Sequence, residues 1–592
     1  MSRDPLRNGL SRRKILASGA AVSSSVLLAG CLGDDEDPAV DDDDDAVVDD
    51  DDDDTIVDDD DDDIREIHIT QQVEPDHDYD PIVSNDAYST RILGHIFDGL
   101  YEYGPGAEIE PKLAVGEPET PRDDRYVIEI VDDAEFSNGD PLTAEDVLHT
   151  FIAPVVEHTD NITSFDMIDV EASTTIDETT VQFDLHEPYG AFATMTVATN
   201  IASKDARLEA MDLTEDEWWD RDWAGEEEAD EPLLSETSPY NVDNPIGSGP
   251  YEYVDHEIGD FTDLQLRDDY WDDNVEPEID YIRWVATEDD AARTSQILAQ
   301  DTDMAKGIAP DDYETVEDDP DIAMHTEVGL GYFYMAYNCN DGPTAEPDVR
   351  NGIDHAFDMS AFVDQVIGPA GVNLAAPVGQ AILEAWDLPV DEYAAMENEY
   401  DPEQAAQLIE PHIDGTWEPT FIAPPDDIRQ ELCERVAGRL NELDFDGDTE
   451  IDASAQRFDW GPFLDLYDTG DADDYAGYTL GWTGGTDPDA FMWPLIHENS
   501  EGVNQGHYYQ PGDDFHDKIA QARTSTDFDE RRELYDEVIR QFLEDKVHSP
   551  GYVLQNSLAV VPDVEGGEDA IHAQSSIAPR VVSDHHVVRK TQ

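Results

Sequence analysis

Basic residues are scarce in this chain of 592 residues: 31 Lys and Arg, only 7 of them Lys, stand against 145 Asp and Glu. Nucleic-acid binding needs clustered cations to neutralise phosphates, so that class of partner is excluded. Cysteine is scarcer still, limited to Cys31, Cys339 and Cys433. Spacing alone leaves open whether Cys339 and Cys433 pair or stay as buried free thiols. Beyond the N-terminal 31 residues no apolar stretch approaches the ~18 residues of a membrane span. Catalytic signatures are lacking too. Gly247-Ser248-Gly249 does not have the spacing of a nucleophile elbow, and His256-Glu257 is not followed by a second His at the zincin distance. Asp444-Phe445-Asp446-Gly447-Asp448 opens like a calcium loop but fails at Thr449 and Ala455, its sixth and twelfth positions. Neither a P-loop nor a dinucleotide-binding glycine triplet occurs. With so many carboxylates, an acid/base pair cannot be read from spacing. No enzyme, cofactor or metal site is expected.

What the chain does have is negative charge, formally -114 and spread along its whole length. Such a charge repels itself in dilute buffer. At molar salt the Debye length falls to about 3 Å and the repulsion is screened. The expectation is a protein of haloarchaeal type, built for high salt. The N-terminus carries Ser11-Arg12-Arg13-Lys14, then small and apolar residues from Ala17 to Ala29, then Leu28-Ala29-Gly30-Cys31. Arginine pair, short apolar run and terminal Cys, in that order, predict a twin-arginine lipoprotein signal over residues 1–31. Cys31 is the expected lipidation site, holding the protein at the extracytoplasmic face of the plasma membrane without spanning it. Residues 32–63 are almost all Asp and predict an extended, unfolded tether.

Folded patterning begins near Ile64. Ile67 to Thr70, Tyr126 to Ile130, Val181 to Leu185 and Tyr281 to Val285 alternate as strands do. Thr143-Ala144-Glu145-Asp146 and Asp401-Pro402-Glu403-Gln404 open helices with capping residues. From Phe528 to Lys546, Leu534, Val538 and Phe542 recur at helical spacing. Strands interspersed with helices give an α/β class. Trp218, Trp219 and Trp223, in the acidic stretch 212–236, are expected to pack a short helix.

Several segments, in order, resemble the peptide/nickel-binding family of extracytoplasmic solute-binding proteins, which contains the dipeptide- and oligopeptide-binding proteins. They are Tyr79-Asp80-Pro81, then Ile96-Phe97-Asp98-Gly99-Leu100-Tyr101, and Pro111-Lys112-Leu113-Ala114. The most specific is Phe136-Ser137-Asn138-Gly139-Asp140-Pro141-Leu142-Thr143-Ala144-Glu145-Asp146-Val147, a turn running into a capped helix. Gly247-Ser248-Gly249-Pro250-Tyr251, Arg267-Asp268-Asp269-Tyr270-Trp271, Tyr337-Asn338, Gly481-Trp482 and Asp487-Pro488 continue the series.

The resemblance implies a periplasmic-binding-protein-like fold of the type II, three-domain class, with a ligand cleft between two lobes. Domain I would take 64–108, 244–330 and 540–592, domain II 109–243, and domain III 331–539. It implies capture of a solute, a di- or oligopeptide foremost and otherwise an oligosaccharide or nickel complex. A monomer would deliver it to the permease subunits of an ABC importer. The ligand-lining positions it implies are Tyr332, Tyr334, Tyr337, Asn338 and Trp482. Peptide-binding members carry an Asp three residues after the Gly-Trp tryptophan; here that place is Gly485, and Asp487 is the nearest substitute. A surface hydrolase or a structural cell-surface protein are the rival readings. The first has no motif and the second no internal repeats.

Overall fold

The computed structural model describes residues 64–591 except 73–78, 85–86, 105–108, 160–164, 197–198, 222, 224–244, 258, 446, 468, 501–505, 509–513, 575–578 and 584–586. The expected signal, Cys31 and the acidic tether lie outside the described residues. So does part of the Trp-rich stretch.

Its largest feature is a 12-stranded sheet. The strands are β1 (Glu66–Gln71), then β2 to β5 of a separate small sheet (Glu119–Arg122, Arg125–Glu129, Thr174–Asp177, Thr180–Asp184), then β6 (Tyr251–Glu257), β7 (Phe261–Leu266), β8 (Tyr281–Ala286), β9 (Met304–Lys306), β10 (Ala323–Val328), β11 (Tyr332–Tyr337), β12 (Gly371–Asn373), β13 (Thr420–Ala423), β14 (Ser454–Arg457), β15 (Gly477–Trp482) and β16 (His548–Val560). The large sheet runs β14-β13-β15-β11-β16-β9-β1-β8-β7-β6, with β10 and β12 also paired to β16. β1 lies parallel to both β8 and β9, and its Ile67 and Ile69 are fully buried. β16 is 13 residues long and serves both halves: its start pairs with β11 and its end with β9. One strand therefore ties the halves together through continuous backbone hydrogen bonds.

The small sheet has the order β2-β3-β5-β4. Tyr126, Ile128, Val181 and Phe183 all turn inward, as period-2 alternation requires. The helices that bear on the site are α1 (Ala87–Ile96), α2 (Ala144–Glu157), α3 (Glu215–Asp220), α4 (Asp290–Ala299), α5 (Pro402–Ile409), α6 (Asp489–Ile496), α7 (Phe515–Thr524) and α8 (Phe528–Asp545). α2 begins in a full capping box: the Thr143 backbone N–H donates to Asp146, and the Thr143 hydroxyl accepts from the first turn. Its Phe151 ring packs 4.8 Å from Phe183, which seats the helix on the small sheet. Trp218 of α3 is buried in the same cluster with Trp223, while Trp219 is exposed. Arg207 ties this body to the start of the chain, reaching Asp80 at 2.7 Å and Glu157 at 2.7 Å in a fully buried triad.

Buried apolar residues form three clusters. One lies under β1, β8 and β9, a second around β11, β15, α6, α7 and α8, and a third in the small-sheet body. Among the described residues Cys339 and Cys433 are free thiols; Cys433 is buried with its Sγ near the Ile422 carbonyl and Thr479. No helix among the described residues is long and apolar enough to cross a membrane.

Candidate functional site

Trp482 ends β15 directly opposite Tyr332, which begins β11. The two side chains border a cavity of about 60 Å³, whose other walls include Phe333, Leu554, Asn556 and Gln574. Trp482 is half-buried, and its Nε1 donates to the Ala490 carbonyl oxygen at 2.8 Å, so the indole is held by the first turn of α6. Tyr332 and Tyr334 share a strand face, as alternation demands, with ring centroids 5.0 Å apart. The buried Tyr332 hydroxyl has no hydrogen-bond partner among the described residues. A buried orphan hydroxyl is costly, which makes it a ready partner for a polar group entering this hollow.

Four of the expected ligand-lining residues are differently employed. Tyr334 is wholly buried and stacks on His548 at 4.3 Å, with the rings within 4° of parallel, so it is a packing residue. Tyr337 is buried in the core beneath the large sheet. Asn338 is also buried: its Oδ1 accepts from the Asn340 and Asp341 backbone N–H groups, which fixes a turn. Asp487 is engaged within the fold. Both its oxygens accept from Arg531 Nη2, at 2.8 and 2.9 Å, and Oδ2 also accepts from Thr194 Oγ1 at 2.5 Å. A carboxylate so committed cannot also meet a ligand's ammonium.

Those same bonds join the small-sheet body to the Trp482 body. Tyr189 to Thr194 lies against the Thr486–Asp489 loop and the α7–α8 junction. Thr486 Oγ1 donates to the Thr194 carbonyl at 3.0 Å, Gly190 N–H donates to the Arg523 carbonyl at 2.8 Å, and Arg531 Nη1 reaches the Gly190 carbonyl at 3.3 Å. The Arg523 guanidinium lies 4.5 Å from the ring centroids of both Tyr189 and Trp493, and it also pairs with Asp489. Burial, reinforced by Asp487 and opposed by Arg523, pushes the Asp489 carboxyl up to about 6. The bodies are thus joined through the buried Asp487, Asp489 and Arg531 together with the partly exposed Arg523.

A model of the family described as bacterial extracellular solute-binding proteins, family 5 Middle, matches residues 108–502. The chain belongs to that family. Family 5 members are solute-binding proteins and not enzymes. The dipeptide-binding protein of Escherichia coli (strain K12) is 24% identical over 369 residues, covering 61% of this chain and 62% of that protein's length. Among solved structures, the ABC transporter substrate binding protein CtaP from Listeria monocytogenes superposes with a TM-score of 0.72 at 20% identity, over 89% of this chain and 100% of that one. The oligopeptide-binding protein AppA from Bacillus subtilis, solved in complex with a nonapeptide, gives 0.64 at 19% identity, over 89% and 100%. The fold is therefore that of type II periplasmic peptide-binding proteins, mixed α/β as the sequence implied.

Sequence reasoning missed the clasp. Helical spacing covered Arg531 only as one position of the 528–546 helix, and the Tyr189–Thr194 segment not at all. Gly190 carried the usable signal: a glycine between Tyr and Ala, in the turn beyond β5, leaves room for close approach by another backbone. A Cβ there would fall inside the Ser525 carbonyl oxygen.

Proposed function

We propose that this family 5 protein captures a di- or oligopeptide outside the cytoplasm and hands it to the permease subunits of an ABC importer. The observation that carries the reading is the Trp482–Tyr332 hollow, an indole held at the edge of a cavity beside an unpartnered buried hydroxyl. Aromatic faces with a few fixed polar groups suit a peptide-sized solute. At about 60 Å³ the hollow takes one anchoring group of that solute, not all of it. Trp482 and Tyr332 contact the solute in this reading, whereas Tyr334, Tyr337, Asn338 and Asp487 support them from behind. The chain passes between lobes as the resemblance implies, with domain I at 64–108, 244–330 and 540–592, domain II at 109–243 and domain III at 331–539. Twin-arginine export and a lipid on Cys31 place a monomer at the outer membrane surface, in a high-salt habitat.

Titration calorimetry with a peptide library and an oligosaccharide panel tests the ligand class. Peptides are expected to give heat and sugars none. Saturable sugar binding without peptide binding moves the protein to a carbohydrate ligand.

A further inference from the structure

A second cavity, of about 150 Å³, lies where β1, β9 and α4 meet β16. It shares Leu554 and Asn556 with the Trp482 hollow, so the two adjoin along one strand. Its charged wall consists of Arg91, Arg293, Lys306 and Asp290. Three cations to one carboxylate is the reverse of a chain with 31 bases and 145 acids. Arg293 is occupied: it pairs with Asp290 and donates to the carbonyls of Thr287 and Gly307, at 2.7 Å each. Arg91 donates to Gln71 Oε1 at 3.2 Å and lies 4.9 Å from the Tyr88 ring centroid.

Lys306 is different. The described lysines other than Lys306 all hold a carboxylate within 3.0 Å: Lys112 with Asp272, Lys204 with Glu145, Lys518 with Glu537, Lys546 with Asp354 and Lys590 with Asp303. Lys306 ends β9, is 4% exposed, and has no hydrogen-bond or ion-pair partner among the described residues. Burial, with Arg91 adding repulsion, pushes its ammonium well below the usual lysine range. Among the described residues no carboxylate is placed against this amine. Leaving a buried ammonium unpaired weakens the fold, and such weakness concentrates where a ligand completes the site.

We propose that Lys306, with Arg91 beside it, is the receptor for a carboxylate on the transported solute. This rests on the solute-binding reading and narrows it to anionic solutes. One end of the solute lies against Trp482 and its carboxylate lies at Lys306, across the shared wall of β16. Ala370 and Ile428, from the β11–β15 side of the molecule, also border the cavity, so both halves of the large sheet enclose the charge.

The test uses the full chain, the variant K306M, and three probes: alanyl-phenylalanine, its C-terminal amide, and glutarate. Without any probe, K306M is expected to melt at least about 2 °C higher than the parent, because a buried amine without a partner has been removed. In calorimetry the parent is expected to bind the free acid at least about tenfold tighter than the amide, and K306M to bind the two within about twofold. If K306M melts lower than the parent, the amine is satisfied within the fold and the proposal is overturned. An acid-to-amide preference that survives in K306M overturns it as well, as does a parent protein that responds to neither carboxylate probe. If neither peptide binds but glutarate stabilises the parent and not K306M, the peptide reading fails and the anion receptor stands.

Discussion

Trp482 is fixed from behind by its Nε1 bond to Ala490 and faced across the ladder by Tyr332. Its ring is therefore pre-organised, and a ligand stacking on it loses little of that gain to ordering the side chain. W482A is expected to weaken peptide binding by about 1–3 kcal/mol, judged from the area an aromatic buries. W482F, which keeps a ring but not the Ala490 bond, should retain most of the affinity. Calorimetry of both variants separates stacking from loop anchoring, and equal losses would show that the loop, not the ring, matters. Arg531 supplies a stability counterpart. Its guanidinium and the Asp487 carboxylate are both buried and bonded twice. R531M leaves that carboxylate without its cation and is expected to cost about 3–5 kcal/mol in denaturant unfolding. Adding D487N should recover part of the loss, since the uncompensated charge is gone. A double variant as unstable as R531M alone would mean that packing, not charge, holds the junction.

At the scale of elements, local pattern was legible and its use was not. The strands read from alternation at 67–70, 126–130, 181–185 and 281–285 fall within or at the edges of β1, β3, β5 and β8, because each buries one or both faces with regular period. The caps at Thr143 and Asp401 are where the sequence put them, since capping is settled within four residues. The site was harder. Tyr332 and Tyr334 share a face as alternation predicted, yet it is Tyr332 that borders the hollow beside Trp482, while His548, 214 residues away in sequence, stacks on Tyr334. Lys306 had a weak signal in a lysine placed among Met304, Ala305 and Ile308, but its isolation depends on what β16 and α1 bring alongside. The contact of Gly190 with Ser525 is likewise tertiary, and it makes a sharp prediction. With no room for a Cβ, G190A cannot close the clasp between the Tyr189–Thr194 segment and the α7–α8 junction. Small-angle scattering should give G190A a larger radius of gyration than the parent, with no compaction on adding peptide. An unchanged radius would show that the clasp is not what holds the bodies together.

For the whole molecule the decisive quantity is charge. Residues 64–592 carry 123 acidic and 26 basic side chains, so even complete one-to-one pairing leaves most carboxylates without a basic partner. Pairing therefore cannot neutralise the surface, and only the solvent's cations can. The buried pair Asp487 and Arg531, with Asp489 beside it, is shielded from salt by its own burial, so it should change little with ionic strength. The exposed carboxylates should change a great deal. Between about 1 M and 0.1 M salt the Debye length grows from about 3 Å to about 10 Å, a range that takes in the neighbouring acids along a helix or loop. The melting temperature is accordingly expected to fall by about 5 °C or more over that interval, measured by calorimetry in potassium chloride. Sucrose at matched osmolarity is the control. It strengthens burial by exclusion from the surface but screens no charge, so it should not restore the lost stability. If sucrose restores it as well as salt does, the dependence comes from the core rather than from self-repulsion. The two mechanisms also predict different behaviour at low pH. Asp489, pushed up to about 6, takes up its proton first as the pH falls; protonating the surface carboxylates below that pH in dilute salt should raise the melting temperature further, whereas a core effect would give no such rise.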